Sequence, residues 1–117
     1  MIGKLHALTF LAGCLVLASP ARAAYALAWS ASEGRGASDN SSFDLGDVRK
    51  RAASKCGRGC AVVVSGKGSC AAIVSAGRGQ PWAVATGTTV STAANAAWHQ
   101  CRRKGGVNCE TAVSACD

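Results

Sequence analysis

Hydrophobic and polar positions alternate in short blocks along this chain, and the blocks come twice in the same order. Tyr25-Ala26-Leu27-Ala28-Trp29-Ser30 alternates large and small residues, which predicts a half-buried strand. Glu33 to Ser42 is rich in Gly, Ser, Asp and Asn and reads as a loop. Leu45, Val48, Ala52 and Cys56 then recur at helical spacing, with Arg49, Lys50, Arg51 and Lys55 largely on the other side. Asp44, with Asp47 three residues on, can cap that helix, and Gly57 supplies its left-handed stop. Ala61-Val62-Val63-Val64 is an apolar run, as expected of a strand covered on both faces or at the centre of a small sheet, and Cys70 closes it after a turn at Lys67-Gly68-Ser69.

The strand pattern continues through Ala71 to Ser75, Gly77-Arg78-Gly79-Gln80-Pro81 turns, and Trp82 to Thr86 reads as the counterpart of the Tyr25 strand. Here a second copy begins. Thr89, Ser91 or Thr92 can cap a helix over Ala93 to Cys101, with Ala94, Ala97, Trp98 and Cys101 predicted on one face. Arg102 to Asn108 reads as a basic turn containing Gly105-Gly106, and Cys109 to Cys116 as the last strand. The expectation is an α+β domain of two tandem β-α-β-type repeats, with two helices on a shared, mainly antiparallel sheet.

Before the first strand, Met1 to Ala23 has the plan of an export signal: Lys4, an apolar run from Ala7 to Ala18, and an Ala-x-Ala site at Ala21-Arg22-Ala23. Leu11-Ala12-Gly13-Cys14 also fits a bacterial lipobox, in which Cys14 would be lipidated. Secretion or export to the periplasm is the expectation, with a lipoprotein anchored at Cys14 as the alternative. The division is therefore 1–23 signal peptide and 24–117 one cysteine-rich duplicated domain, with no membrane span expected after cleavage.

A domain of this size gains only a few kcal/mol from its core, so covalent help is expected. Of seven cysteines, six lie beyond the leader, an even number in an exported chain, which points to three disulfides. Six cysteines allow 15 pairings. If each copy closes its own helix-to-strand turn, Cys56 joins Cys60 and Cys101 joins Cys109. Cys70 and Cys116, each read as the end of a strand, are left to join the two halves, with Cα atoms about 5 to 6 Å apart.

This order, with Ala52-Ala53 before Cys56, Gly77-Arg78-Gly79 before Trp82 and Ala96-Ala97-Trp98 before Cys101, resembles DUF4189, a family of small exported bacterial domains of unknown function. The resemblance spans Ala24 to Asp117 and supplies no catalytic residues to carry over. Family members often have Leu where this chain has Ala53 and Trp98.

The residues themselves show no reactive constellation. Cys101 lies two positions from His99, where helical neighbours point to different sides. Cys56-Gly57-Arg58-Gly59-Cys60 is one residue too long for a thiol-exchange motif and sits at a helix end, where the dipole raises rather than lowers a thiolate pKa. Glu33, Asp39, Asp44, Asp47, Glu110 and Asp117 are scattered, and the Gly-Arg-Gly triplets at 34–36, 57–59 and 77–79 lack the spacing of a phosphate loop. With no Cys-x-x-Cys pair and His99 the only histidine after the leader, neither a metal nor a cofactor is called for.

Charge alone implies a partner. Of the 13 Lys and Arg, Lys4 and Arg22 fall in the leader, leaving 11 against 6 acids, a net charge of about +5. Arg49, Lys50 and Arg51 form one cluster and Arg102, Arg103 and Lys104 another, at the matching place in each copy. The functional expectation is a non-enzymatic, disulfide-rich interaction or envelope module that holds an acidic protein or an anionic envelope or host surface on a basic face. Nucleic acid fits poorly, because export removes it as a target and Trp29, Trp82 and Trp98 sit in patterns read as buried. A secreted enzyme or enzyme inhibitor, with a site invisible to residue spacing, is the alternative class.

Overall fold

The computed structural model describes residues 23–77 and 80–117; residues 1–22 of the leader, with Cys14, and Arg78-Gly79 of one turn lie outside them. The chain runs β1 (Tyr25–Ser30), β2 (Arg35–Asp39), α1 (Leu45–Cys56), β3 (Ala61–Gly66), β4 (Cys70–Ser75), β5 (Trp82–Gly87), α2 (Val90–Arg103) and β6 (Glu110–Cys116). The class is α+β, and every strand pairing is antiparallel.

Two features differ from the sequence expectation. The strands form two three-stranded sheets, ordered β2-β1-β3 and β5-β4-β6, rather than one shared sheet. Each repeat is therefore a β-β-α-β unit, and the second begins at Cys70, not Trp82. The cause is β2, which was read as loop. Its sequence Arg-Gly-Ala-Ser-Asp is too polar and small to look like a strand, but it lies at a sheet edge and takes its order from pairing with β1.

Registers make the two copies superimposable. In both, the pairing of the middle strand with the last strand slips by one residue, between Leu27 and Ala28 and between Ile73 and Val74, leaving Val63 and Ala112 as bulge residues. Aligned on this slip, Leu27 matches Ile73, and the pair Trp29–Gly36 matches Ser75–Trp82. The large residue sits on the middle strand in one copy and on the edge strand in the other. Their rings meet at a centroid distance of 6.3 Å.

Side-chain alternation then builds four layers. Ala24, Ala26 and Ala28 face α1, burying Val48, Ala52 and Cys56. Tyr25, Leu27 and Trp29 point the other way, onto Ala71 and Ile73 of β4, with Trp82, Val84 and Val113 completing the middle of the molecule. Val74 and Ala83 face outward again, against Ala97 and Cys101 of α2. The order is helix, sheet, sheet, helix. The rows of alanine facing each helix let it approach its sheet closely.

Helix boundaries follow local chemistry. Asp44 caps α1 by accepting from Gly46 N at 2.7 Å, and Gly57, at φ +97°, ends it. Thr89 caps α2, accepting from Thr92 N at 3.0 Å. This helix runs two residues past Cys101, through Arg102 and Arg103, which were expected in the turn.

Candidate functional site

The six cysteines come together as Cys56–Cys60, Cys70–Cys116 and Cys101–Cys109. The first and third close the helix-to-strand turn of their own repeat. The second has a different setting from the one expected. Cys70 opens β4 and Cys116 ends β6, the two are directly opposite in the ladder, and their Cα atoms are 4.0 Å apart. The bond therefore staples neighbouring strands within the second repeat and does not join the halves. Aligned positions in the first repeat are Ala24 and Lys67, so that repeat lacks the staple.

Around Cys56, Arg35 holds the turn shut. Its guanidinium donates to the carbonyl oxygens of Cys56 and, at 2.6 Å, of Arg58, and pairs with Glu33. A cation here offsets the C-terminal end of the α1 dipole. Asp39, on the same strand, is buried, yet its carboxyl titrates below its ordinary value of 3.8. Burial pushes it up, but hydrogen bonds from Lys55 Nζ at 2.7 Å and from the Ser41 hydroxyl and backbone N–H outweigh that.

A depressed carboxylate stabilises the fold above its unfolded pKa and loses that contribution as pH falls through the folded value. Asp39→Ala is expected to cost about 2 kcal/mol near neutral pH, from hydrogen bonds to a charged acceptor. Its deficit against the unaltered protein narrows below about pH 4. Urea unfolding across that range measures the gap, and a pH-independent gap would show that the ion pair does not stabilise the fold.

The two basic triplets are held apart. Arg49, Lys50 and Arg51 lie exposed on α1, in one outer layer; Arg49 donates to Ser65 Oγ at 2.9 Å and Arg51 to Ser41 Oγ at 2.6 Å. Arg102, Arg103 and Lys104 end α2, in the opposite outer layer. They do not make one basic face, because the two sheets stand between the helices. Among the described residues none of the six has an ion pair, whereas Arg35 and Lys55 do.

The end of α2 carries more than charge. Of the expected face Ala94, Ala97, Trp98 and Cys101, Ala97 and Cys101 are buried, but Ala93 takes the third buried place, so Trp98 turns outward and is 39% exposed. His99 meets its ring edge-on at 5.2 Å, and the Arg102 guanidinium lies 5.5 Å from the ring centroid. Arg102 also donates to Gly106 O at 3.4 Å, linking the helix to the turn, where Val107 is 67% exposed. Lys104 lies over the half-buried Trp82 ring at 5.7 Å and donates to the Trp82 carbonyl at 2.7 Å. These contacts fix cations beside aromatic faces, an arrangement worth about 0.5 to 1 kcal/mol each at exposed sites.

The turn packs closely on its own disulfide. Gly106 N donates to Cys101 O at 3.0 Å, and a Cβ at Gly106 would stand 2.7 Å from Cys109 Sγ and 2.8 Å from Cys101 Sγ. Only glycine lets the backbone lie against the disulfide. The signal that would have exposed Trp98 was weak, since a helix face of alanines fits several rotations and the indole looked like the anchor.

With Cys101 bonded to Cys109, the thiol beside His99 is absent as a nucleophile. Among the described residues no three His, Cys, Asp or Glu gather as metal ligands, and no helix is long and apolar enough to cross a membrane. Compared with known proteins, residues 24–116 match a family model described as Domain of unknown function (DUF4189). No curated protein and no solved structure matches.

Proposed function

The chain belongs to the DUF4189 family, and from that premise we propose a non-enzymatic module of an oxidising, exported compartment that binds an acidic partner at the end of α2. The observation that carries the reading is the grouping of Arg102, Arg103 and Lys104, none ion-paired among the described residues, beside the exposed Trp98. Unpaired cations held next to an aromatic surface favour an anionic partner, because the charge steers approach and the indole adds contact area. Three disulfides support the compartment, since such bonds persist where thiols are not kept reduced. The export signal at 1–23 agrees with it.

Two triple variants with equal charge test the site: Arg102→Gln, Arg103→Gln, Lys104→Gln against Arg49→Gln, Lys50→Gln, Arg51→Gln. Both remove three charges from opposite layers. On a heparin column the α2 variant is expected to elute at clearly lower salt than the α1 variant, with a flatter dependence on ionic strength. Equal shifts would mean that retention follows net charge, and the proposed site would be lost.

A further inference from the structure

The two repeats provide an internal control for what the fold needs. In the first, the helix stops at its cysteine and three residues, Gly57-Arg58-Gly59, reach Cys60, a separation of 4. In the second, the helix continues and seven residues, Arg102 to Asn108, reach Cys109, a separation of 8. Trp98 stands where the first copy has Ala53. The fold therefore closes without the longer turn and without the tryptophan. What the second copy adds is Trp98, Arg102, Arg103, Lys104 and Val107, all exposed, with Arg102 bridging the Trp98 ring and the Gly106 carbonyl next to Val107.

We infer that this added tip docks on an anionic lipid surface, with Trp98 and Val107 entering the interface and the three cations on headgroup phosphates. The inference rests on the α2 site proposed above and names its partner. A polyanion in water would engage the cations and the indole but has no use for the aliphatic Val107. Exposed Val107 and Trp98 cost free energy in water and gain it only against an apolar phase, and indoles settle at the depth of lipid headgroups. Each Lys or Arg near an anionic leaflet adds a modest, screened attraction, so three cations with two apolar contacts give reversible, salt-sensitive attachment rather than insertion. The helix cannot enter further, because its opposite face is bound to the sheet through Ala93, Ala97 and Cys101.

The oxidised chain from Ala24 is mixed with vesicles of phosphatidylcholine alone or with phosphatidylglycerol, and binding is read by sedimentation and tryptophan emission. Trp29 is buried, but Lys104 lies over the half-buried Trp82 ring, so the part of the emission change that is lost in Trp98→Ala is the part that reports Trp98. The expected result is binding and a blue shift with phosphatidylglycerol vesicles only. Val107→Ser should weaken it about tenfold while leaving heparin retention unchanged, and Trp98→Ala should weaken vesicle binding at least as much. Retention on heparin without vesicle binding, or vesicle binding indifferent to both substitutions, overturns the lipid inference and leaves the anion site standing. Loss of neither retention nor vesicle binding in the α2 triple variant overturns both. Near-ultraviolet circular dichroism establishes that each variant is folded, and Val107, in an exposed turn, serves if Trp98→Ala does not fold.

Discussion

Replacing Cys70 and Cys116 together by alanine lowers the thermal midpoint by about 15 °C or more, the largest effect expected of any disulfide in the molecule. In the chain-entropy account the stabilisation grows with the loop closed. A separation of 46 corresponds to about 4 kcal/mol, against about 2 for Cys56–Cys60 and about 2.5 for Cys101–Cys109. The bond encircles β5 and α2 and fastens the ends of β4 and β6, so its loss frees a whole repeat in the unfolded state. Matched double alanine variants followed by calorimetry rank the three bonds. A drop at Cys70 and Cys116 no larger than that at Cys56 and Cys60 would show that the loop length does not govern the ranking.

Gly36→Ala is expected to destabilise the protein by about 3 kcal/mol, as overpacking at a seam with no slack does. A Cβ at this position would stand 2.6 Å from Val113 Cγ2, 2.8 Å from the Ala28 carbonyl oxygen and 2.8 Å from Trp29 Cε3. Two of those neighbours are core groups of different sheets and the third is backbone, so no single rotamer change relieves the contact. Gly36 is where the tryptophan of the first repeat lies across its edge strand, at the position where the second repeat carries Trp82 itself. Urea unfolding reads the loss, and a near-neutral outcome would mean that the two sheets can part by a few tenths of an ångström at no cost.

How far the sequence could be read depended on the size of the residues involved. Helix α1 was plain, because Leu45, Val48, Ala52 and Cys56 repeat at one spacing and Gly57 stops it. The cysteine pairs followed from counting copies, although the reason given for Cys70 and Cys116 was mistaken: a twofold relation between halves is not what brings them together, but a ladder inside one half. Strand β2 was hidden by its polarity, and with it the division into two sheets. The orientation of α2 was hidden by its alanines. Leu or Ile at one register would have singled out a face, whereas Ala93, Ala94 and Ala97 leave Trp98 free to be read as inward. The candidate site was thus half legible, its cations visible as a run and its indole not.

All three covalent bridges stay within a repeat. The two copies are joined by the chain at Lys67 to Ser69, by the Asn40 side chain donating to the Cys116 carbonyl at 3.2 Å and that of Gln80 to the Ala31 carbonyl at 3.5 Å, and by the apolar layer of Tyr25, Leu27, Trp29, Ala71 and Ile73. Within each copy a cross-link limits the unfolded chain alongside an apolar helix-to-sheet core, whereas between the copies no bridge supplements apolar contact, which weakens as water is chilled. Cooling therefore meets the junction of the two halves without covalent support, and there the molecule behaves as two bodies pressed together by their surroundings.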